Sequence, residues 1–419
     1  MLSEFWSGAP KLVPKRGFLT IFATFKQIKR IKIDSIIFVK TIEMIPRLQY
    51  KAIKQKIGTN KLLLLSGPRE VGKQTIVKEI LDSVGFEFLE LNAKQRATKK
   101  LFESVDEKSL KSVFGSNRFV VIHEAQYIDK LQEIIEEILS GEWNLTLILT
   151  CSYEPMIDEL LREVLQMQGL EVLLMPPSFY ELAQFNGLPV EESLLEQRLI
   201  YGNYPSVVSD LSKAETKLKE LVDQVIFTNL GVTDRINKGK KLMHMLQILA
   251  FEIGDAVSYN DIGDRCGLDN ETVERYIDLL VKSFVLIKLP SYYNNHRYEL
   301  KKSHTIYFVD NGIRNVLINN FNPMTLRNDW DQIWRNWLIS ERIKWNQLNN
   351  KEVEYYFWKT HTKQIMDYLE IENGSVSAYK TSWEKRKKMK FPASFSEAYP
   401  FSKTHALNRS TYWGFLTKK

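Results

Sequence analysis

The stretch Lys61-Leu62-Leu63-Leu64-Leu65-Ser66-Gly67-Pro68-Arg69-Glu70-Val71-Gly72-Lys73-Gln74-Thr75 decides how the rest of this chain is read. Its first six residues form an apolar run without alternation, as in a strand covered on both faces. A glycine turn follows, and Gln74 to Val84 is apolar-periodic, which predicts a helix with one buried face. A glycine-rich turn between strand and helix directs backbone N–H groups toward one point, where the helix N-terminus adds partial positive charge. A lysine closing that turn reaches the terminal phosphates of a nucleotide. Gly67, Pro68, Arg69, Glu70, Val71, Gly72, Lys73, Gln74 and Thr75 are therefore the predicted nucleotide-binding residues.

Outward from this loop the strand–helix rhythm continues. Phe86 to Leu91, Arg118 to Ile122 and Leu145 to Thr150 read as buried strands, with the helical Asp129 to Leu139 between the last two. This is the βαβ pattern of a parallel sheet, so the expected class is α/β. The third strand runs into Phe119-Val120-Val121-Ile122-His123-Glu124-Ala125-Gln126, where an acidic pair should meet the phosphate loop. Glu124 falls where a water-activating base belongs and is the predicted catalytic residue. His123 occupies the place of the magnesium-side aspartate. Gln74 occupies that of the magnesium-ligating hydroxyl, and Thr75 lies about 100° further round the helix. Magnesium demands near-ideal octahedral oxygen geometry, so its binding is expected to be weak, hydrolysis impaired, and no residue is assigned as a metal ligand. Thr150 or Ser152, at the end of the next strand, would either sense the terminal phosphate or cap the following helix.

The chain has 419 residues, 44% hydrophobic and 26% charged, enough for two or three cores and incompatible with disorder throughout. Two cysteines, Cys151 and Cys266, exclude a disulfide framework or a four-thiolate zinc site and favour a cytoplasmic location. The formal charge of +7 permits a nucleic-acid partner without requiring one. Residues 1–43 carry eight Lys/Arg against three Asp/Glu, and residues 380–419 carry ten against two, so the excess sits at the ends. No run of eighteen apolar residues occurs, and no membrane span or membrane partner is expected. Lys11, Lys15, Arg16, Lys26, Lys29 and Arg30 interrupt any signal-peptide core. Residues 1–43 then read either as an extension upstream of a start at Met44 or as a basic amphipathic segment for nucleic acid or an anionic surface.

Prolines and glycines at 176, 177, 187 and 189 close the first unit, and residues 191 to 250 look mainly helical. Ser258 caps a short helix, Asn270-Glu271-Thr272-Val273-Glu274-Arg275-Tyr276 opens a longer one, and Phe284 to Leu289 reads as a strand. That order predicts a winged helix-turn-helix. Its reader helix carries Glu271, Glu274 and Asp278, which repel phosphate, against Arg275 and Lys282. The loop with Asn294, Asn295, His296, Arg297, Lys301 and Lys302 is more basic. A DNA or a protein partner through this region are both open. Ile333 to Gln347 predicts a helix, followed by strands at Val353 to Trp358, Met366 to Ile371 and Ser375 to Lys380.

The phosphate loop, together with Pro177-Ser178-Phe179-Tyr180-Glu181, Arg198-Leu199-Ile200-Tyr201-Gly202-Asn203-Tyr204-Pro205, Tyr307-Phe308-Val309-Asp310-Asn311-Gly312, Leu338-Ile339-Ser340-Glu341-Arg342 and the start-like Met44-Ile45-Pro46-Arg47, resembles one family of AAA-like P-loop ATPases. Chains of that family join an ATPase core, a winged helix and a C-terminal domain similar to restriction endonucleases. The resemblance covers nearly everything from Met44 onward and implies ATP as cofactor. It implies a threonine at 74 and an aspartate at 123, so Gln74 and His123 are departures. It also implies a nuclease-like acidic cluster, and here Arg335 stands at the helix glutamate, only Asp367 is kept on the first strand, and Lys380 opens the second element. Positive charge in that place argues against metal-dependent cleavage.

The expected architecture is an α/β parallel-sheet P-loop NTPase core (44–185) behind an N-terminal extension (1–43). A helical lid or connector (186–239), a winged helix (240–325) and a C-terminal α/β nuclease-like domain (326–419) follow. The expected function is nucleotide binding with weak or absent hydrolysis and an inactive nuclease-like domain. The alternative is a non-enzymatic scaffold for nucleic acid or protein.

Overall fold

In a computed structural model of the chain, residues 28–33, 36–41, 45–85, 87–224, 238–293, 303–385 and 388–417 are described. The basic loop expected at Asn294 to Lys302 and most of the N-terminal extension lie outside them. The chain divides into two units, Met1–Ile45 and Pro46–Lys419. In the first, β1 (Ile28–Ile33) and β2 (Ile36–Thr41) pair as an antiparallel hairpin.

In the second unit, successive residues of β3 (Leu62–Ser66) point into two different cores. Leu62 and Leu64 join one apolar cluster with Val120, Ile122, Leu147 and Leu149, while Leu63 and Leu65 join another with Val121 and Ile148. Side chains alternate along a strand, so an unbroken apolar run means both faces are covered, as the sequence predicts. With β4 (Leu89–Asn92), β5 (Phe119–His123), β6 (Thr146–Cys151) and β7 (Leu170–Leu173), β3 forms a wholly parallel sheet in the order β4-β5-β6-β3-β7. From β3 the chain crosses through helix α1 (Lys73–Val84) to the far edge at β4 and returns strand by strand. Such a sheet opens a crevice beyond the carboxyl end of the strand where the winding reverses, and that strand is β3.

Some boundaries differ from the sequence reading. The helix begins at Lys73 because Gly72, with φ 97°, is its N-cap. The strand expected from Phe284 begins instead at Leu286, because Phe284 turns the chain with φ 58°.

Beyond the sheet, residues 179–224 are mainly helical, including α2 (Phe179–Asn186), α3 (Leu195–Tyr201) and α4 (Ala214–Gln224). Helices α5 (Lys238–Phe251), α6 (Tyr259–Cys266) and α7 (Asn270–Lys282) accompany a three-stranded antiparallel sheet. Its order is β8 (Ala256–Val257), β10 (His304–Phe308), β9 (Leu286–Pro290). Ser258 and Asp269 cap α6 and α7 by accepting from Asp261 N and Thr272 N. The C-terminal region packs α8 (Trp330–Leu348) near a four-stranded sheet, β11 (Glu354–Lys359), β12 (Ile365–Glu372), β13 (Ser375–Thr381) and β14 (Lys403–Leu407). Among the described residues no helix is long and apolar enough to cross a membrane.

Buried polar groups join these regions. Asp310 accepts from Asn203 N at 2.7 Å and Gly312 N at 2.8 Å, and the carboxylate lies against Gly202. Gly202 has φ 71° and ψ −166°, a region essentially reserved for glycine, and an added Cβ would sit 1.8 Å from Asp310 Oδ1. Gly202→Ala is therefore expected to destabilise the protein by about 3 kcal/mol. Chemical denaturation checks this, and a midpoint equal to wild type would contradict the packing described.

Candidate nucleotide-binding site

Beyond the carboxyl end of β3, the loop Gly67–Gly72 wraps around the Lys73 side chain. Lys73 Nζ donates to Gly67 O and Pro68 O, both at 2.7 Å, and the residue is only 6% exposed. Gly67 is required by close approach, since a Cβ there would fall 2.0 Å from Leu174 O. Gly72 faces open space, with nothing within 4 Å of where a Cβ would be. A cleft of about 260 Å³ lies over the loop, lined by Arg69, Glu70, Gly72, Lys73, Gln74, Thr75, Glu124, Thr150 and Gln224.

The nine residues predicted for the nucleotide divide into two sets. Arg69, Glu70, Gly72, Lys73, Gln74 and Thr75 line the cleft. Gly67, Pro68 and Val71 are buried beneath it and shape the backbone. Glu70 has φ 58° and accepts from Gln224 Nε2 at 2.9 Å, which brings α4 to the mouth of the cleft.

Glu124 faces the loop from the end of β5, with φ 55°. Its Oε2 accepts from Ser152 Oγ at 2.6 Å and from Gln126 Nε2 at 2.8 Å, and Arg69 Nη2 stands 3.7 Å away. Burial works to raise its pKa, but these hydrogen bonds and the charges of Lys94 and Arg69 prevail and hold it below the usual glutamate value. Arg69 Nη2 also donates to Tyr127 OH at 3.3 Å. Ser152 thus serves Glu124, and the next described α-helix, Glu159–Gln168, is capped by Asp158 rather than by either strand-end hydroxyl.

At the two magnesium positions, Gln74 is exposed on the cleft wall, and His123 is engaged on both ring nitrogens. Nδ1 lies 3.0 Å from Thr150 Oγ1 and Nε2 lies 2.8 Å from Glu90 Oε1. The loop and Lys73 fit a polyphosphate, whereas this donor set does not fit a divalent cation. Among the described residues no cluster of three or more His, Cys, Asp or Glu side chains could hold a metal. Sequence reasoning missed Arg47, Lys94, Gln126 and Gln224. Each comes from a segment remote from the loop or outside its motif.

Burial pushes the Lys73 ammonium down from 10.5 to about 8, against the opposing pull of Glu124. Between these values the unfolded chain holds a proton that native Lys73 has released, so this group adds stability as pH rises from about 8 to 10.5. A bound phosphate favours the ammonium. ATP binding near pH 8.5 should therefore take up a proton, read as a dependence of calorimetric binding enthalpy on buffer ionisation enthalpy. Equal enthalpies in phosphate-like and amine buffers at that pH would contradict this.

Residues 59–183 match the family model described as an AAA domain, and residues 192–324 match one described as a domain of unknown function, DUF8612. An uncharacterized protein of Haemophilus influenzae is 23% identical over 295 residues, which span 65% of this chain and 73% of that protein. The Walker-type ATPase of Pyrococcus abyssi is 16% identical with a TM-score of 0.40, over 64% of this chain and 94% of that one. A Thermotoga maritima RuvB variant is 14% identical with a TM-score of 0.32, over 58% and 87%. Over residues 59–183 this chain is similar to AAA domains.

Proposed function

We propose that the chain binds a nucleoside triphosphate, ATP in the first instance, over Gly67–Thr75 and hydrolyses it weakly or not at all. The observation that carries the reading is the buried Lys73 ammonium inside the glycine loop, beneath a cleft lined by Gln74, with His123 buried at the end of β5. Backbone N–H groups and a lysine suffice to hold phosphate oxygens. Hydrolysis needs more. A general base works best with a pKa near the working pH, and Glu124 is held low by Ser152, Gln126 and nearby cations. Glutamine on the cleft wall and an imidazole with both nitrogens engaged do not replace the oxygens that magnesium requires.

The C-terminal region is read as a nuclease-like domain without nuclease chemistry. Arg335 Nη1 lies 3.1 Å from Asp367 Oδ1, and Asp367 Oδ2 accepts from Thr381 N at 2.8 Å. Both oxygens of the one retained acid are thereby used, and an arginine stands where a cation would have to bind. Lys380 Nζ turns away to Lys390 O at 3.2 Å.

ATP in millimolar excess should raise the melting temperature equally with magnesium or with chelator, because backbone amides and Lys73 supply the affinity. Lys73→Ala should abolish the shift. Gln74→Thr combined with His123→Asp should raise magnesium-dependent ATP hydrolysis by at least about tenfold, the equivalent of ~1.4 kcal/mol of barrier. An ATP shift absent from wild type would refute nucleotide binding, and an unchanged rate in the double variant would favour a scaffold without catalysis.

For residues 238–308 the second reading has its own support. As a winged helix-turn-helix, its reader helix α7 presents exposed Glu271 and Glu274, with Asp278 paired to Lys288 at 2.9 Å. A shallow recess of about 400 Å³ along this face adds Arg275, Leu279 and Lys282. Carboxylates at the leading end of a reader helix oppose the phosphate backbone, so a protein surface suits α7 better than duplex DNA. Duplex DNA titrations at low salt should show no binding that depends on α7. A loss of affinity on Arg275→Ala, with a steep salt slope, would reverse this assignment.

A further inference from the structure

Arg47 lies outside the phosphate loop in sequence but touches it in space. Its side chain is 6% exposed and spends all three guanidinium nitrogens on the protein. Nη1 donates to Val71 O at 3.0 Å, Nη2 to Met175 O at 2.6 Å, and Nε to Glu181 Oε1 at 3.2 Å. The Val71–Gly72 peptide is planar, with its carbonyl and N–H opposed. Fixing the Val71 carbonyl on Arg47 therefore turns the Gly72 N–H away from Arg47, and Gly72 is a residue that lines the cleft. One buried arginine thereby holds the peptide that leads into Gly72.

The contacts do not stop there. Glu181 Oε1 also accepts from Leu48 N at 3.1 Å, while Oε2 accepts from Ser178 N at 2.9 Å and closes the capping box at the start of α2. The first residue of that helix, Phe179, donates its N–H to Glu341 Oε2 on α8 at 2.6 Å. Glu341 Oε1 accepts from Asn203 Nδ2 at 3.1 Å and Lys344 Nζ at 2.7 Å. Asn203 N in turn donates to Asp310. Glu181, Glu341, Asn203 and Asp310 are each under 5% exposed. Buried groups linked in this way do not shift one at a time without breaking a hydrogen bond.

We propose that Arg47 is the positioning residue of the phosphate loop and that Arg47, Glu181 and Glu341 form a relay through which an occupied loop tightens helix α8 of the C-terminal region. This rests on the nucleotide-binding reading above. By reciprocity, whatever the C-terminal region engages through α8 also alters affinity for the nucleotide. The AAA-like domain and the C-terminal domain then act as one device, and the motifs Ser178–Glu181, Gly202–Asn203, Asp310–Gly312 and Ser340–Arg342 are its joints.

Backbone hydrogen exchange of the full chain, with and without saturating ATP, tests this, with binding followed separately by thermal shift. In wild type, ATP should slow exchange in residues 338–346 as well as in the loop. In Arg47→Lys, which keeps the charge but not the three-way contact, affinity should fall roughly tenfold. The ATP-dependent slowing at 338–346 should vanish as well. Glu341→Gln should lose the slowing at 338–346 and retain slowing in the loop. ATP that binds wild type without changing residues 338–346 overturns the relay and leaves nucleotide binding intact. If wild type binds no ATP, the ligand-free comparison decides. Arg47→Lys should speed exchange in the loop and in 338–346 while β13 keeps its rate, and uniform acceleration along the chain overturns the relay.

Discussion

An ammonium group held away from water is the constraint on which the front of this molecule depends. Lys73 is satisfied by the carbonyls of Gly67 and Pro68, with Glu124 as the carboxylate that pulls its pKa upward and Arg69 and Lys94 opposing. Desolvation of a charge costs several kcal/mol even after relaxation, and carbonyl dipoles repay only part of it. The fall of its pKa to about 8 is the visible remainder of that cost. A polyanion in the cleft would relieve it, so the loop is built in a state that an anion improves. The neighbouring contacts make sense in this light. Gly67 lets the chain pass against Leu174 O, and Arg47 ties down the Val71 carbonyl. The backbone therefore cannot rotate a different set of dipoles toward the lysine.

A second layer of order lies behind the loop. Phe179, Glu181, Asn203, Asp310 and Glu341 make hydrogen bonds across sequence separations of 107 to 162 residues. Most of the motifs that carry the family resemblance fall on these junctions, away from the cleft. A buried carboxylate with three donors tolerates little exchange, because removing it strands every donor at once. Motifs of this kind record how the regions are joined. They carry no information on whether the chemistry at either end is intact.

How much of this was readable beforehand follows from the range of each interaction. The strands β3, β5 and β6 were legible because burial on both faces writes a continuous apolar run into the sequence. The loop was legible because its glycines and lysine are adjacent in the chain. Lys73 and Glu124 line one cleft. Strand and helix ends were read less well, since a residue such as Phe284, turned by a positive φ, carries no periodic signal. The roles of Arg47, Lys94 and Gln224 carry no signal in the sequence for a different reason. Arg47 meets Val71 across 24 residues and Glu181 across 134, and no local spacing encodes that meeting. The start-like run ending at Arg47 is a motif of the sequence, but its contact with the loop is made only in the fold.

At both sites where the resemblance implies a carboxylate, a nitrogen base stands in this sequence, His123 and Arg335. At β5 an imidazole now bridges Glu90 and Thr150, and at α8 a guanidinium now pairs with Asp367. A cluster of acids without its metal is self-repelling, and a fold that keeps such a cluster is less stable until the cation arrives. A base in place of one acid lessens that dependence where it pairs with the remaining acid, as Arg335 does with Asp367. Asp367 has Arg335 and the Thr381 backbone. Glu124, next to His123, has Ser152, Gln126 and the nearby Arg69. On the proposed reading, Asp367 and Glu124 are both held by protein groups and not by a metal, which suits an architecture used for binding and coupling.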